Sequence, residues 1–371
     1  MSTLHRTPLY RLWQQRGAKF VPFAGYEMPV QFDMGIKREH EHTRHQCGLF
    51  DVSHMGQMLI RGSHPAQALE RVSPIDAVGI APGRQRYGLF TSNVGGIHDD
   101  FMAVNAGDHL YLVVNAACRA SDAALLRSGL GDEGALEVLE DRALLALQGP
   151  MAREVMRRLC PQAAALTFMQ HARFEIMGHE LWVSCSGYTG EDGFELSVPD
   201  DGAIEIAEWL LEQEAVAPIG LGARDSLRLE AGLCLYGHDM DGDTTPIEAS
   251  LGWAIGKARR QGGAREGGFP GADVILTQQG NQDTDYVRVG LKADGRAPVR
   301  EGVELFNASG DPIGRVTSGT FAPSIGVPVA MGYVRREFSE PGQTLQAEVR
   351  GRRLDMSVTS MPFVTTHYYR G

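Results

Sequence analysis

A chain of 371 residues, 43% hydrophobic and 22% charged, is long enough for two or three packed domains and is not composed like a disordered one. Its formal net charge of −11 excludes a nucleic-acid coat, which would need a basic face, and no run of about twenty apolar residues is available for a membrane span. The cysteines Cys47, Cys118, Cys160, Cys185 and Cys234 are odd in number, widely spaced and without a CxxC. They read as free thiols in a reducing compartment. The segment Met1–Tyr10 has neither an apolar signal core nor an Arg/Ser-rich presequence, so the expected location is cytoplasmic.

In chain order, Thr7 is placed as an N-cap, Pro8 at the first helical position and Gly17 as the stop of a first helix. Residues 36–46 read as a second, charged helix. The run GLFDVSHMGQMLIRG, residues 48–62, is strand-like and precedes a helix over 64–72. In HLYLVVN, Leu110, Leu112 and Val114 share one face of a half-buried strand. Residues 143–148 form an apolar strand, and Pro150 opens a helix reaching Leu159. Leu181, Val183 and Cys185 alternate, as do Phe194, Leu196 and Val198. Helices follow over 203–214 and 223–233. Strands and helices joined by short connections predict α+β packing. The Gly-rich stretch 261–271 is a boundary, beyond which short strands separated by turn residues predict a β-barrel or sandwich from about residue 275.

Several motifs carry two readings. In REHEHTRHQC, residues 38–47, His40 and His42 lie roughly 200° apart on a helix, and no third ligand is evident, so a solvated helix face is favoured over a metal site. DMDGDTTP, residues 239–246, fails the calcium-loop pattern at Thr244 and Ser250 and reads as a turn with capping aspartates. GYTGEDG, residues 187–193, is either a plain hairpin turn or a functional loop. Its acids oppose a phosphate role. Glu195, opposite the Phe194/Leu196 face, lies either on the surface or in a cavity. Arg224 and Arg228 share a helix face and read as a surface salt-bridge set or as partners of Glu195 or a ligand carboxylate. Asp99 and Asp100 begin a strand, so at most one faces a given pocket; the choice is a turn aspartate or a single positioned base. GKARRQGGAR, residues 256–265, is a solvated linker or a basic docking patch for an acidic partner.

TPLY (7–10), GAKFVPFAGYEMPVQF (17–32), GLFDVSHMGQ (48–57), GGIHDD (95–100), VVNAA (113–117), ALQGP (146–150), GYTGEDGFE (187–195), ARDSLRLEAGLCLYG (223–237), TTPIEASLGWAIGK (244–257), VTSGTFAPS (316–324), VAMGYV (329–334) and MPFVTTHYY (361–369) occur in this order. Together they resemble the glycine cleavage T-protein, or aminomethyltransferase, family along essentially the whole chain. The resemblance implies a multi-domain α+β cloverleaf: two interleaved α+β folate-binding subdomains over residues 1–274 and a C-terminal antiparallel β-barrel over 275–371.

The implied reaction moves the one-carbon unit from the S-aminomethyldihydrolipoyl arm of the H protein to tetrahydrofolate. It gives 5,10-methylenetetrahydrofolate, ammonia and the dihydrolipoyl arm. By matching motif, Asp100 corresponds to the catalytic aspartate, and Glu195, Arg224 and Tyr368 correspond to folate-contacting residues. Met55, Tyr87, Asn115 and Tyr188 correspond to further pocket wall. HDDF stands where the family more usually has an apolar residue followed by DDL. The expected partners are the lipoylated H protein and tetrahydrofolate, with no metal, nucleic acid or membrane. Rival readings are a folate-dependent demethylase of another small methylated substrate, a folate domain of an amine dehydrogenase, and a non-catalytic folate protein of iron–sulfur maintenance. The second lacks a flavin GxGxxG here, and the third lacks its cysteine motif.

Overall fold

The computed structural model describes residues 3–371, so the first two residues of the Met1–Tyr10 segment lie outside it. The run 48–62 is not one strand but two. Cys47–Asp51 and Gly56–Arg61 belong to different sheets, and the turn between them carries the chain across. The first sheet has six strands in the order His171–Ile176, His179–Ser184, Gly193–Pro199, Arg142–Gln148, Cys47–Asp51 and Val216–Ile219. Only the last pair is parallel. The second has five antiparallel strands in the order Arg84–Thr91, Ile97–Asn105, Leu110–Val114, Gly56–Arg61 and Ala135–Leu139.

Alternation builds the first core. Leu181, Val183, Phe194, Leu196 and Val198 are fully buried against helices Ala152–Leu159 and Asp200–Leu211; each such side chain contributes about 1.5–3 kcal/mol. The strand Leu110–Val114 departs from the half-buried expectation. Leu110, Leu112 and Val114 enter the second core, while Tyr111 on the other face is also buried, edge-on to Trp182 at 5.1 Å. The Tyr111 hydroxyl donates to Gln57 Oε1 at 2.8 Å, and so does the Ser197 hydroxyl at 2.6 Å. The two sheets therefore meet face to face, which explains a strand apolar on both sides.

Thr7 is not a helix cap. The first helix runs Tyr10–Gln15, and the Thr7 hydroxyl instead donates to Asp51 Oδ2 at 2.7 Å, beside the Trp13 indole N–H. Gly17, at φ 79°, does end that helix.

The C-terminal strands Tyr286–Ala293, Val327–Arg335, Pro312–Ala322, Glu304–Phe306, Thr344–Val349 and Arg352–Thr359 form a closed antiparallel barrel. Pairing of Gly290–Ala293 with Met356–Thr359 closes it and removes the open edges that invite association. Helix Ala272–Asn281 straddles residue 275, and its Ile275 packs with Ile255 and Phe269 on the N-terminal side.

Helix Leu221–Glu230 joins the units. Arg228, for which a surface salt-bridge set was one reading, is buried, and so is Glu230. Arg228 pairs with Asp239 at 2.6 Å and donates to the barrel residue Ser318 at 2.8 Å. Asp239 is likewise a buried acceptor, taking hydrogen bonds from Thr317, Ser318 and the Leu235 N–H, whereas Asp241 does cap its turn. Nor is the histidine-rich helix, Ile36–His45, a purely solvated face. His40 is fully buried between Ser226, Glu230 and Ser324, and Arg44 pairs with both Glu191 and Glu230. Among the described residues no three His, Cys, Asp or Glu side chains are grouped to hold a metal ion, and no helix is long and apolar enough to cross a membrane.

Candidate active site

GYTGEDG and ALQGP prove to be one structural unit. A Cβ on Gly187 would stand 1.8 Å from Gln148 Oε1, so only glycine permits that approach. Gly190 has φ +82°, and the Thr189 hydroxyl donates to Gln148 Oε1 at 2.9 Å. The loop is therefore packed onto the sheet rather than a free hairpin turn. Its acids are occupied: Glu191 by Arg44 and His367, Asp192 by Arg153.

Held beside this loop, Glu195 is half-buried and Oε2 accepts the Ser186 hydroxyl at 2.5 Å. Arg224, from the helix Leu221–Glu230, lies with its guanidinium carbon 4.6 Å from the centroid of the Tyr188 ring. Burial lowers the Arg224 pKa, while Tyr188 and Glu195 act to raise it. Among the described residues the two charges feel one another without closing an ion pair. The Tyr188 hydroxyl donates to the Cys234 carbonyl.

Asp100 stands on the strand Ile97–Asn105, opposite Leu89 of Arg84–Thr91. Asn115, just past the end of Leu110–Val114, donates its Nδ2 to Asp100 Oδ1 at 2.6 Å and to Asp99 Oδ1 at 2.9 Å. Tyr87 hydrogen-bonds Asp100 and stacks on the exposed Trp253 at 5.2 Å. Burial first, and then the Asp99 charge, raise the Asp100 pKa to about 7, against the pull of its bonds to Tyr87 and Asn115. A carboxyl in that range can hold or give up a proton near neutrality.

The structure thus groups Asp100, Tyr87 and Asn115, and brings Tyr188 with Arg224 and Glu195 alongside them. Asp100 acts electrostatically on Tyr188. Tyr368 follows His367, whose backbone N–H donates at 2.9 Å to the Gly190 carbonyl of the loop that carries Tyr188. It stacks on Phe168 at 4.2 Å, and its charged neighbours are Arg44, Glu191 and Arg370. Met55 lines a separate cleft of about 270 Å³ with Tyr26, Arg119 and Arg142, which includes neither Asp100 nor Glu195. Sequence reasoning missed His54, whose Nδ1 is buried without a partner among the described residues and whose pKa burial, with Arg224 and Arg119, lowers to about 3. It also missed Asp122, buried beside Asp99. An acid one turn from Leu126 on the apolar stripe of the helix Arg119–Gly129 was the available signal for Asp122. The basic stretch 256–265 is not a free patch. Arg259 is buried against Glu70, Arg265 pairs with Glu70 and Asp76, and Arg260 donates to the carbonyls of Ile255 and Gly252. Three of its four charges are engaged in tying this segment down, and Lys257 alone stays exposed without a partner among the described residues.

Residues 9–259 match the family profile described as the GCVT N-terminal domain, and residues 287–365 match the glycine cleavage T-protein C-terminal barrel domain. The chain belongs to the glycine cleavage T-protein family. Within it, the chain is 45% identical to the mitochondrial aminomethyltransferase of Homo sapiens over 99% of this chain and 91% of that one. It is 42% identical to that of Dictyostelium discoideum, over 98% and 94%. The crystal structure of glycine cleavage system aminomethyltransferase T from Bartonella henselae superimposes with a TM-score of 0.91 at 42% identity, covering 99% of this chain and all of that one.

Proposed function

We infer that the chain is the tetrahydrofolate-dependent aminomethyltransferase of the glycine cleavage system, and that Asp100 is its catalytic carboxylate. The observation that carries the second part is Asp100 itself: a half-buried acid, positioned by Asn115 and Tyr87, whose pKa lies near 7. Tetrahydrofolate supplies the nitrogens that accept the one-carbon unit. The site's donor and acceptor chemistry fits it. Glu195 offers a carboxylate oxygen to the planar donor edge of a pterin, and the Arg224 guanidinium is held by the Tyr188 ring with no side-chain hydrogen bond to another described residue. Asp100 in its ionised form accepts the proton released from nitrogen and stabilises cationic character on the transferred carbon.

Through their motifs, Tyr368 is retained as a folate contact and Met55 as pocket wall. The lipoylated H protein is the proposed partner, with a docking surface other than residues 256–265. The cytoplasmic assignment is supported by five buried cysteines, none of them in a disulfide. The division, expected at 274/275, is proposed to follow helix Ala272–Asn281, whose Ile275 packs on the N-terminal side.

The test is product analysis with aminomethyl-loaded, lipoylated H protein and tetrahydrofolate. Stoichiometric ammonia, 5,10-methylenetetrahydrofolate and dihydrolipoyl H protein are expected. Turnover only of a sulfonium or methylamine would instead support the demethylase reading. For the pterin clamp, Glu195→Ala and Arg224→Ala are each expected to weaken folate binding by about 1.5–3 kcal/mol. Calorimetric titration of the singles and the double should show strong non-additivity. Small, additive losses would remove both residues from the folate site.

A further inference from the structure

Behind Asp100 lies a second pair of carboxyl groups that the reaction does not directly use. Asp99 is 0% and Asp122 1% exposed. Asp99 Oδ1 accepts Asn115 Nδ2 at 2.9 Å, and Oδ2 accepts the Asn115 backbone N–H at 3.2 Å. The same Nδ2 reaches Asp100 Oδ1 and, at 3.2 Å, the Asp100 carbonyl. From the helix Arg119–Gly129, Asp122 hydrogen-bonds Asp99. Two carboxyl groups can do so only if one carries the proton. Asp122 Oδ2 is buried and receives no N–H or O–H from any other described group. Left ionised, that oxygen would bear the full desolvation cost of an unpartnered charge. With a proton on its carboxyl group, Asp122 bears no such charge and can donate to Asp99.

We propose that Asp122 is a positioning residue for the transfer reaction: it stays protonated, donates to Asp99, and through Asn115 holds Asp100 in its working position. The proposal rests on Asp100 being the reacting carboxylate. Burial, and then the bond to Asp99, raise the Asp122 pKa far above the usual carboxylate range. The other groups facing the cluster are Cys118 from the turn before the helix, Tyr87 from the neighbouring strand, and Tyr188, Cys234 and Tyr236 from the loops. Burial raises the pKa of all five, so each stays neutral at neutral pH, and among the described residues no cation forms an ion pair with the three aspartates, Asp99 and Asp100 being bonded by Asn115. With its proton, Asp122 keeps the cluster at two carboxylates rather than three. The remaining Asp99 charge helps bring Asp100 into the range of a base that works near neutral pH.

The experiment compares Asp122→Leu, Asp122→Asn and Asp99→Asn with the native protein in two assays. Asparagine keeps a neutral donor; leucine does not. In turnover with loaded H protein and tetrahydrofolate, Asp122→Leu should lower kcat about tenfold or more with little change in KM, and Asp122→Asn should recover most of that loss. Asp99→Asn should move the acid limb of the pH profile to lower pH, since a like charge beside Asp100 is gone. The second assay is the melting temperature against pH without substrates. A carboxyl whose folded pKa is raised contributes stability below its unfolded pKa of about 4 and loses it as pH rises toward the folded value. The native protein should therefore lose melting temperature between pH 5 and 9 by an increment that Asp122→Asn lacks. An Asp122→Asn variant as impaired as Asp122→Leu, or one with the native pH dependence of melting, would overturn the proposal. If Asp100→Asn proves fully active, the Asp100 reading fails, and the melting assay still decides whether Asp122 holds its proton.

Discussion

Asp100→Asn is expected to lower turnover by about 10² to 10⁴ while leaving folate binding largely intact. The substitution keeps the shape and a group to meet Asn115 and Tyr87, but removes both the negative charge and the ability to take up a proton. Because the loss falls on the transition state, kcat and kcat/KM should drop together. The pH profile of the native protein supplies a second check. The base form of Asp100 is the active one and its pKa is raised to about 7. Activity should therefore fall about tenfold per unit as pH drops below that value, whereas an ordinary aspartate would hold its rate to about pH 4. Near-native turnover of folded Asp100→Asn, or a rate flat down to pH 5, would remove Asp100 from the chemistry.

The second large effect is on stability. Arg228→Met is expected to cost about 3–5 kcal/mol, because it leaves Asp239 buried and unpaired. The Thr317, Ser318 and Leu235 donors remain, but none is a cation. Urea unfolding of Arg228→Met, Asp239→Asn and the double should show strong coupling, with the double less damaged than the sum of the singles. A loss below about 1 kcal/mol for Arg228→Met would mean that the pair is hydrated and of the surface kind. Since Arg224 lies one turn before Arg228, the helix that positions a proposed folate contact is also the one anchored to the barrel.

What the sequence revealed and concealed follows from the range of the interactions. Periodicity is local, so the alternation at Phe194, Leu196 and Val198 was legible, as were Gly17 and the helix Ile36–His45. Whether a charged residue meets water is decided by chain far away. His40 looks like a helix-surface histidine until Glu230 and Ser324 close over it. Arg259 looks like a docking charge until Glu70 appears beneath it. Asp100 and Glu195 were singled out through their motifs. Asp122 was not, since one acid in an alanine- and leucine-rich helix acquires meaning only when Asp99 is known to lie against it.

The placement of the short strand Cys47–Asp51 also constrains how this molecule comes into being. Gly48 pairs with Gln148 on one side, and Ala217 occupies the corresponding register position on the other. During synthesis, which delivers the N-terminus first, the strand must wait for neighbours made much later. The intervening residues can meanwhile assemble the five-stranded sheet. The early strand Cys47–Asp51 is buried along its whole length in the finished protein, and until Val216–Ile219 arrives its apolar edge stays open. Such late-closing contacts carry a high loop-closure entropy and slow folding. The six-stranded sheet therefore cannot be completed before residue 219 is made, and until then the nascent chain carries an unpaired strand edge, the kind of surface that chaperones exist to shield.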